Sequence, residues 1–342
     1  MCFGLIFQIH VIIIEYRNIG VCKLMVMQIK RKSVWGEIER EIIGADLDEA
    51  TKKRLFNKLL NLKNKKINIL ITGATGSGKS STINAIFDTE IAKVGRGVDP
   101  ETMTIEKYEL QSLILWDSPG LGDGIKADIQ HSKNIVNKLL EKDEEGNALI
   151  DLVLVILDGS TRDMGTSYQL INEVIMPNLP DENRILVAIN QCDIAMKGKG
   201  WDYVENKPQK ELVSFLDKKV TSVQRKIHED TGIKIDPIYY SAEQLYNVSK
   251  LLSFIIKHTP SEKRAVYIDN INKEPDPWKS NDELEDYNQN IKKSLGESII
   301  AGMEFGADTG AKIGRIFGGE RGEKVGRVVG GAVKGFIGKL FG

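Results

Sequence analysis

Two features of the 342-residue chain predict an α/β fold with a mostly parallel sheet covered on both faces by helices. From residue 66 onward, short aliphatic and β-branched runs at 67–71, 105–110, 113–116, 152–157, 185–189 and 238–240 alternate with stretches of helical periodicity, as in successive βαβ units. The first of these runs passes directly into a glycine-rich turn and then into a sequence with helical spacing.

The flanks read differently. Residues 28–65 are charge-rich, with Trp35, Ile38, Ile42, Leu55, Leu59 and Leu60 at helical intervals, which predicts one or two amphipathic lead-in helices. Residues 1–27 open with an apolar stretch too short to span a bilayer, without a basic n-region or a small-residue cleavage site. They read either as an apolar N-terminal extension or as a mis-assigned start, with translation beginning at Met25 or Met27. Residues 259–297 carry three prolines, many acids and few aliphatics and are expected to form a polar linker.

Residues 298–342 are expected to form a helical hairpin. Glycines recur at every fourth position from 302 to 330, a small-residue stripe that lets another helix approach closely. A break is expected at Gly318-Gly319. Charged residues interrupt every candidate span there and disfavour ordinary transmembrane helices, leaving a membrane-surface or membrane-inserting hairpin, an oligomerisation zipper or a flexible end as the readings.

Bulk composition names no partner. Hydrophobic residues make up 41% and charged residues 28%, enough for a large soluble core, and the net charge of −1 gives no general electrostatic case for nucleic acid. Cys2, Cys22 and Cys192 have no metal-like spacing, and so few thiols point to a reducing compartment. A cytoplasmic protein is expected, with peripheral membrane attachment as the alternative.

The chemistry lies in four short segments. Gly73-Ala74-Thr75-Gly76-Ser77-Gly78-Lys79-Ser80, followed by Ser81, follows the pattern GxxxxGK[ST] between a strand and a helix. Its glycines let backbone N–H groups wrap a phosphate without Cβ interference, and the helix N-terminus adds partial positive charge. Lys79 would reach the β- and γ-phosphates and Ser80 would ligate Mg²⁺.

Asp117-Ser118-Pro119-Gly120 ends an apolar run 37 residues after Ser80. It suits a carboxylate holding Mg²⁺ through water and a glycine N–H sensing the γ-phosphate. Asn190-Gln191-Cys192-Asp193 ends another run, and its Asp193 carboxylate can accept both N1–H and the N2 amine of guanine. Adenine offers neither donor on that edge, so a buried Asp193 would be left unpaired by ATP. Ser241-Ala242 follows the last run, where small residues can bring a backbone N–H to guanine O6.

In this order, GATGSGKSS, DSPGLGD, NQCD and SA resemble the TRAFAC-class GTPases of the Era-like group over residues 66–258, close to bacterial and prophage-associated members and more distantly to immunity-related GTPases. The resemblance implies a P-loop NTPase three-layer sandwich with a six-stranded sheet containing one antiparallel strand. It also implies GTP as substrate, GDP as product, Mg²⁺ as cofactor, and two switch loops that order on the γ-phosphate. The family's Mg²⁺-binding threonine matches Thr102, with Thr104 second. Gln191 departs from the usual lysine and puts nucleotide affinity in question.

Leu121, after the Asp-x-x-Gly, cannot orient a water. Gly76 stands where some relatives place a potassium-holding asparagine, which disfavours that mechanism. Arg96, between two glycines in the first switch, reads as an arginine finger or as a solvated loop arginine. His131 reads as facing the site from the loop after Gly124 or as a surface residue at a helix start. The expectation is a slow GTPase stimulated by a homodimer through the nucleotide face or by another partner. A membrane-associated or self-assembling structural GTPase and a GTP-binding pseudo-enzyme are the alternatives.

Overall fold

The computed structural model describes residues 34–87, 105–120, 124–162 and 164–303, together with the backbone of 93–94. The expectations for Thr102, Thr104, Arg96, Leu121, the N-terminal extension and nearly all of the glycine-rich tail therefore concern residues outside those described.

The sheet begins with β1 (Ile67–Gly73), buried at every position, and continues through β2 (Lys93–Val94), β3 (Glu106–Leu110), β4 (Leu113–Asp117), β5 (Leu152–Asp158) and β6 (Ile185–Asn190). β1, β5 and β6 are nearly continuous aliphatic runs because helices cover both their faces. The strand order is β2-β3-β4-β1-β5-β6-β9, where β9 is Ile238–Tyr239. The short hairpin between β6 and β9 contains β7 (Trp201–Asp202) and β8 (Lys207–Pro208).

The six expected strands are present, with the two-residue β2 added at the edge. β1 is parallel to β4 and β5, β6 is parallel to β5 and β9, and β3 alone runs against the others. The register sets Ile71 opposite Asp117, Gly73 opposite Ile156, and Asp158 opposite Asn190. All the chemically marked segments therefore emerge at the carboxyl ends of the parallel strands, where open α/β sheets bind ligands.

Two helices precede the sheet, as expected: α1 (Val34–Gly44) and α2 (Glu49–Asn64). α2 starts where the Asp48 side chain accepts from the Thr51 N–H at 2.9 Å, satisfying a donor the first turn cannot pair. Trp35, Ile38, Ile42, Leu55 and Leu59 are buried, but Leu60 is exposed and Leu62 takes the inward position. The helices that follow in the sheet layers are α3 (Lys79–Ile86), α4 (Ile125–Leu140), the short α5 (Gly165–Gln169), α6 (Lys210–Thr231) and α7 (Val248–His258). α5 widens into a π-helical turn over Leu170–Ile175.

The segment expected as a polar linker is folded onto the domain. A 3₁₀ turn at Ser261–Asp269 buries Ala265, Val266, Tyr267 and Ile268, and α8 (Tyr287–Met303) buries Tyr287, Ile291, Leu295, Ile299 and Met303. These five lie four residues apart and share one helix face. The few apolar residues suffice because those of α8 are concentrated on one stripe, and Pro277 and Trp278 are buried as well.

Polar ties reinforce that docking. Lys263 pairs with Asp151 at 2.8 Å, and Trp35 Nε1 donates to Asp269. α1, α2, the 3₁₀ turn and α8 share one hydrophobic cluster with α3 and α7 on one face of the sheet. Gly302, the one tail glycine among the described residues, lies so close to α2 that a Cβ there would sit 2.2 Å from a Leu62 methyl. Among the described residues, no helix is long and apolar enough to cross a membrane.

Candidate nucleotide site

The glycine-rich turn is built on left-handed backbone. Gly76 and Gly78 have φ of +79° and +87°, a region glycine enters without steric cost. Space is as restrictive as torsion: a Cβ on Gly73 would lie 2.1 Å from the Ile156 carbonyl oxygen, and one on Gly78 would lie 2.2 Å from Asn190 Nδ2. α3 begins directly after this turn, so its first N–H groups face the concavity. The Lys79 ammonium donates to the carbonyls of Gly73 and Ala74 at 3.3 and 3.2 Å, which holds it across the turn. Ala74, Thr75, Gly76, Ser80 and Ser81 are all at least partly exposed around it, whereas Ser77 is buried.

Asp117 sits across from β1 at the end of β4. Its Oδ1 is buried without a hydrogen-bond partner among the described residues. Burial pushes its carboxyl up to about 6, against the opposing pull of the Lys79 charge and with a small further push from Glu106. Ser118 extends the strand end by donating to Thr72 Oγ1 at 2.8 Å. Gly120 then reaches the glycine-rich turn: a Cβ there would lie 2.3 Å from Thr75 Oγ1 and 2.5 Å from the Thr75 nitrogen. Only glycine permits this approach.

The opposite wall is tied together by Asn190. Its amide donates to the Ser77 carbonyl at 2.9 Å, while its Oδ1 accepts from the Ala242 N–H at 3.0 Å. One buried side chain thus joins the turn after β1, the end of β6 and the turn after β9. Gln191, at φ +60°, donates through its amide to the Gly76 carbonyl at 2.8 Å. The residue that departs from the family pattern is therefore docked on the same turn.

Asp193 is buried at 4% exposure, and its Oδ1 has no partner among the described residues. Its loop is held by Cys192, whose N–H donates to the Tyr240 carbonyl at 3.2 Å. Burial and the neighbouring Asp193 charge push the Cys192 thiol up, so it remains a neutral packing group. Ser241 is fully buried, and its Oγ accepts from the Gln244 N–H at 3.0 Å, closing the last turn.

Several positioning groups were not foreseen from sequence. The Tyr240 hydroxyl lies 2.6 Å from Thr82 Oγ1, which itself donates to the Gly78 carbonyl at 2.7 Å, linking β9 to α3. Lys219 on α6 donates to the carbonyls of Gly159 and Thr161 at 2.5 and 2.6 Å, holding the turn after β5. His131 is neither on a surface nor in the loop after Gly124. It is 1% exposed inside α4, and its Nδ1 lies 3.1 Å from the Gly120 carbonyl oxygen. A usable signal existed: His131 is four residues before Ile135 and eight before Leu139, the buried stripe of α4.

A glycine-lined turn at a helix N-terminus, a strand-end carboxylate beside its lysine and a second buried carboxylate in the Asn190 loop together form a candidate nucleotide site of the P-loop type. Residues 68–191 match the family model described as 50S ribosome-binding GTPase. The uncharacterized protein MJ0920 of Methanocaldococcus jannaschii is 23% identical to the chain over 210 residues, covering 58% of this chain and 98% of that protein. Translocase of chloroplast 125 of Physcomitrium patens is 36% identical over 103 residues, 28% of this chain, and the match spans only 9% of the translocase. The crystal structure of Toc33 from Arabidopsis thaliana with Mg²⁺ and GMPPNP overlaps 61% of this chain and 82% of that one, at 16% identity and a TM-score of 0.37.

Proposed function

We propose that the chain is a GTP-hydrolysing molecular switch of the Era-like group. The observation that carries this reading is the buried Asp193 carboxylate with its unpartnered oxygen, held beside the phosphate-binding turn by the Asn190 bridge. Leaving a buried carboxylate oxygen unpaired costs stability, and the N1–H and N2 amine of guanine are donors that would remove that cost.

In this reading the N–H groups of residues 73–81 cradle the phosphates, and Lys79 moves from its carbonyl contacts to offset charge on the β- and γ-phosphates. The unpartnered Asp117 oxygen and the exposed Ser80 hydroxyl form an oxygen donor set suited to a hard divalent cation, with Thr102 as the further ligand. Mg²⁺ bound there would neutralise phosphate charge. Gly120, already against Thr75, would meet the γ-phosphate through its N–H.

Hydrolysis is attack of water on the γ-phosphorus with cleavage of its bond to the β–γ bridging oxygen, giving GDP and phosphate. The protein's share is positioning and charge stabilisation. Leu121 supplies no water-orienting group, so turnover by the monomer is slow, and self-association or a partner raises it. Arg96 is the arginine offered for that role.

Titration with fluorescent GTP, GDP and ATP in Mg²⁺, followed by single-turnover hydrolysis over a range of protein concentrations, tests this. Selective guanine-nucleotide binding and a rate that climbs with concentration or with added partner are expected. Equal affinity for ATP, or enzyme-typical turnover of about 1–10³ per second in dilute monomer, would sink the reading.

A further inference from the structure

We infer that His131 is a positioning residue for γ-phosphate sensing: its Nδ1–H clamps the Gly120 carbonyl and holds the Asp117–Gly120 turn against the phosphate-binding loop. The inference rests on the reading of Gly120 as the γ-phosphate sensor.

The chemistry of the pair is one-directional. A carbonyl oxygen can only accept, so the 3.1 Å contact requires a proton on Nδ1. The ring is 1% exposed, so water does not compete for the carbonyl. Gly120 is thereby held by the His131 ring on one side and lies close against Thr75 on the other, whose nitrogen would be 2.5 Å from a Cβ at position 120. Glycine has the widest backbone freedom of any residue, and a sensor made of one gains most from an external hold. The first turn of α4 offers no substitute, because its N-cap is Gly124 and no side chain caps it.

The clamp also gives the sensor a route outward. His131 lies on the same helix as Ile125 and Ile129, which are 81% and 52% exposed. A shift of the Gly120 peptide on meeting a γ-phosphate would pull on α4 through a buried hydrogen bond, and the exposed isoleucine face would move with it.

The experiment compares wild type, His131→Asn, His131→Gln and His131→Phe in the full chain, reading affinity for GDP and for a non-hydrolysable GTP analogue, with kcat and KM for GTP. Asn places its amide N–H where Nδ1 stands, whereas Gln places its amide nearer the far ring nitrogen and Phe has no donor. GDP affinity is expected to stay within about twofold throughout, the scale of a change that touches no group GDP contacts. The GTP analogue should weaken by about tenfold in the Gln and Phe variants, the scale of one lost hydrogen bond. His131→Asn should recover most of it, and kcat should fall more than KM rises. If Phe fails to fold, the Asn and Gln pair carries the comparison. Equal loss of GDP and analogue affinity, or identical behaviour of Asn and Gln, overturns the clamp. Wild type that binds neither nucleotide instead overturns the GTPase reading itself, so the two failures are distinguishable.

Discussion

Asn190 and Ser77, 113 residues apart in sequence, are joined by a 2.9 Å hydrogen bond from the Asn190 amide to the Ser77 carbonyl, and this bond closes the nucleotide site into one unit. The same side chain accepts from Ala242 on its other side. Replacing it with leucine, similar in volume, leaves the Ser77 carbonyl and the Ala242 N–H unpaired. Asn190→Leu is expected to destabilise the domain by about 2–6 kcal/mol, twice the usual cost of one unsatisfied buried group, and to weaken all guanine nucleotides together. Urea denaturation with and without GDP checks both effects.

The base-recognition role proposed for Asp193 predicts a change of nucleotide preference. Xanthine carries a carbonyl where guanine carries the N2 amine, so an amide donor at position 193 suits it better. Asp193→Asn should lose GTP affinity by about 100-fold or more and gain XTP affinity, because a site built to pair donors rejects a ligand that leaves them unpaired. Competition between the two triphosphates for a fluorescent nucleotide measures this, and unchanged GTP affinity would remove Asp193 from the base site.

Asp117 predicts a pH-dependent stability. Its folded carboxyl titrates at about 6 because burial disfavours the charge, against an ordinary value of 3.8. Below about pH 4 both folded and unfolded chains carry the proton and the group is neutral in its effect. As pH rises through 6 the fold must hold a buried carboxylate, and stability falls. Asp117→Asn should therefore gain about 1–3 kcal/mol over wild type at pH 8 and much less at pH 4. Denaturation midpoints at the two pH values, without Mg²⁺ or nucleotide, test the sign.

At Gly78 the backbone at φ +87° and the 2.2 Å approach to Asn190 Nδ2 act together. Gly78→Ala adds torsional strain of about 1 kcal/mol and also pushes the Asn190 amide off the Ser77 carbonyl. Nucleotide binding is expected to disappear while the far-ultraviolet circular dichroism of the domain persists. Retained GTP binding would show that the turn can reshape.

Docking of the C-terminal segment hangs partly on Asp151 and Lys263. Asp151 is 3% exposed, accepts from the Asn68 N–H at 3.0 Å and pairs with Lys263 at 2.8 Å. Burial pushes its carboxyl up, with the Lys263 contact as the first opposing influence. Lys263→Met should cost about 2–4 kcal/mol, the scale for leaving a buried charge unpaired. The double variant with Asp151→Asn should recover part of that loss, as a thermal denaturation cycle would reveal.

The parts of this protein readable from residues alone are those whose chemistry is local. Gly73 to Ser80 specify a glycine-rich turn with the form of a phosphate cradle because torsion, N–H direction and helix start all lie within eight residues, and the alternating runs specify a parallel sheet through period and length. The Asp193 loop was readable because a strand end and a carboxylate are adjacent in the chain. Local reading failed for residues 259–297, where the net polarity of the segment hid Tyr287, Ile291 and Leu295, the first members of an apolar stripe that recurs at every fourth residue to Met303. It failed again at His131, whose polar type outweighed its place on the stripe of Ile135 and Leu139. The double grip of Asn190, the hold of His131 on Gly120 and the pairing of Lys263 with Asp151 each join groups 11 to 113 residues apart. Such contacts depend on which chain segments the packed core brings within hydrogen-bond reach, and that distance is a property of the folded chain.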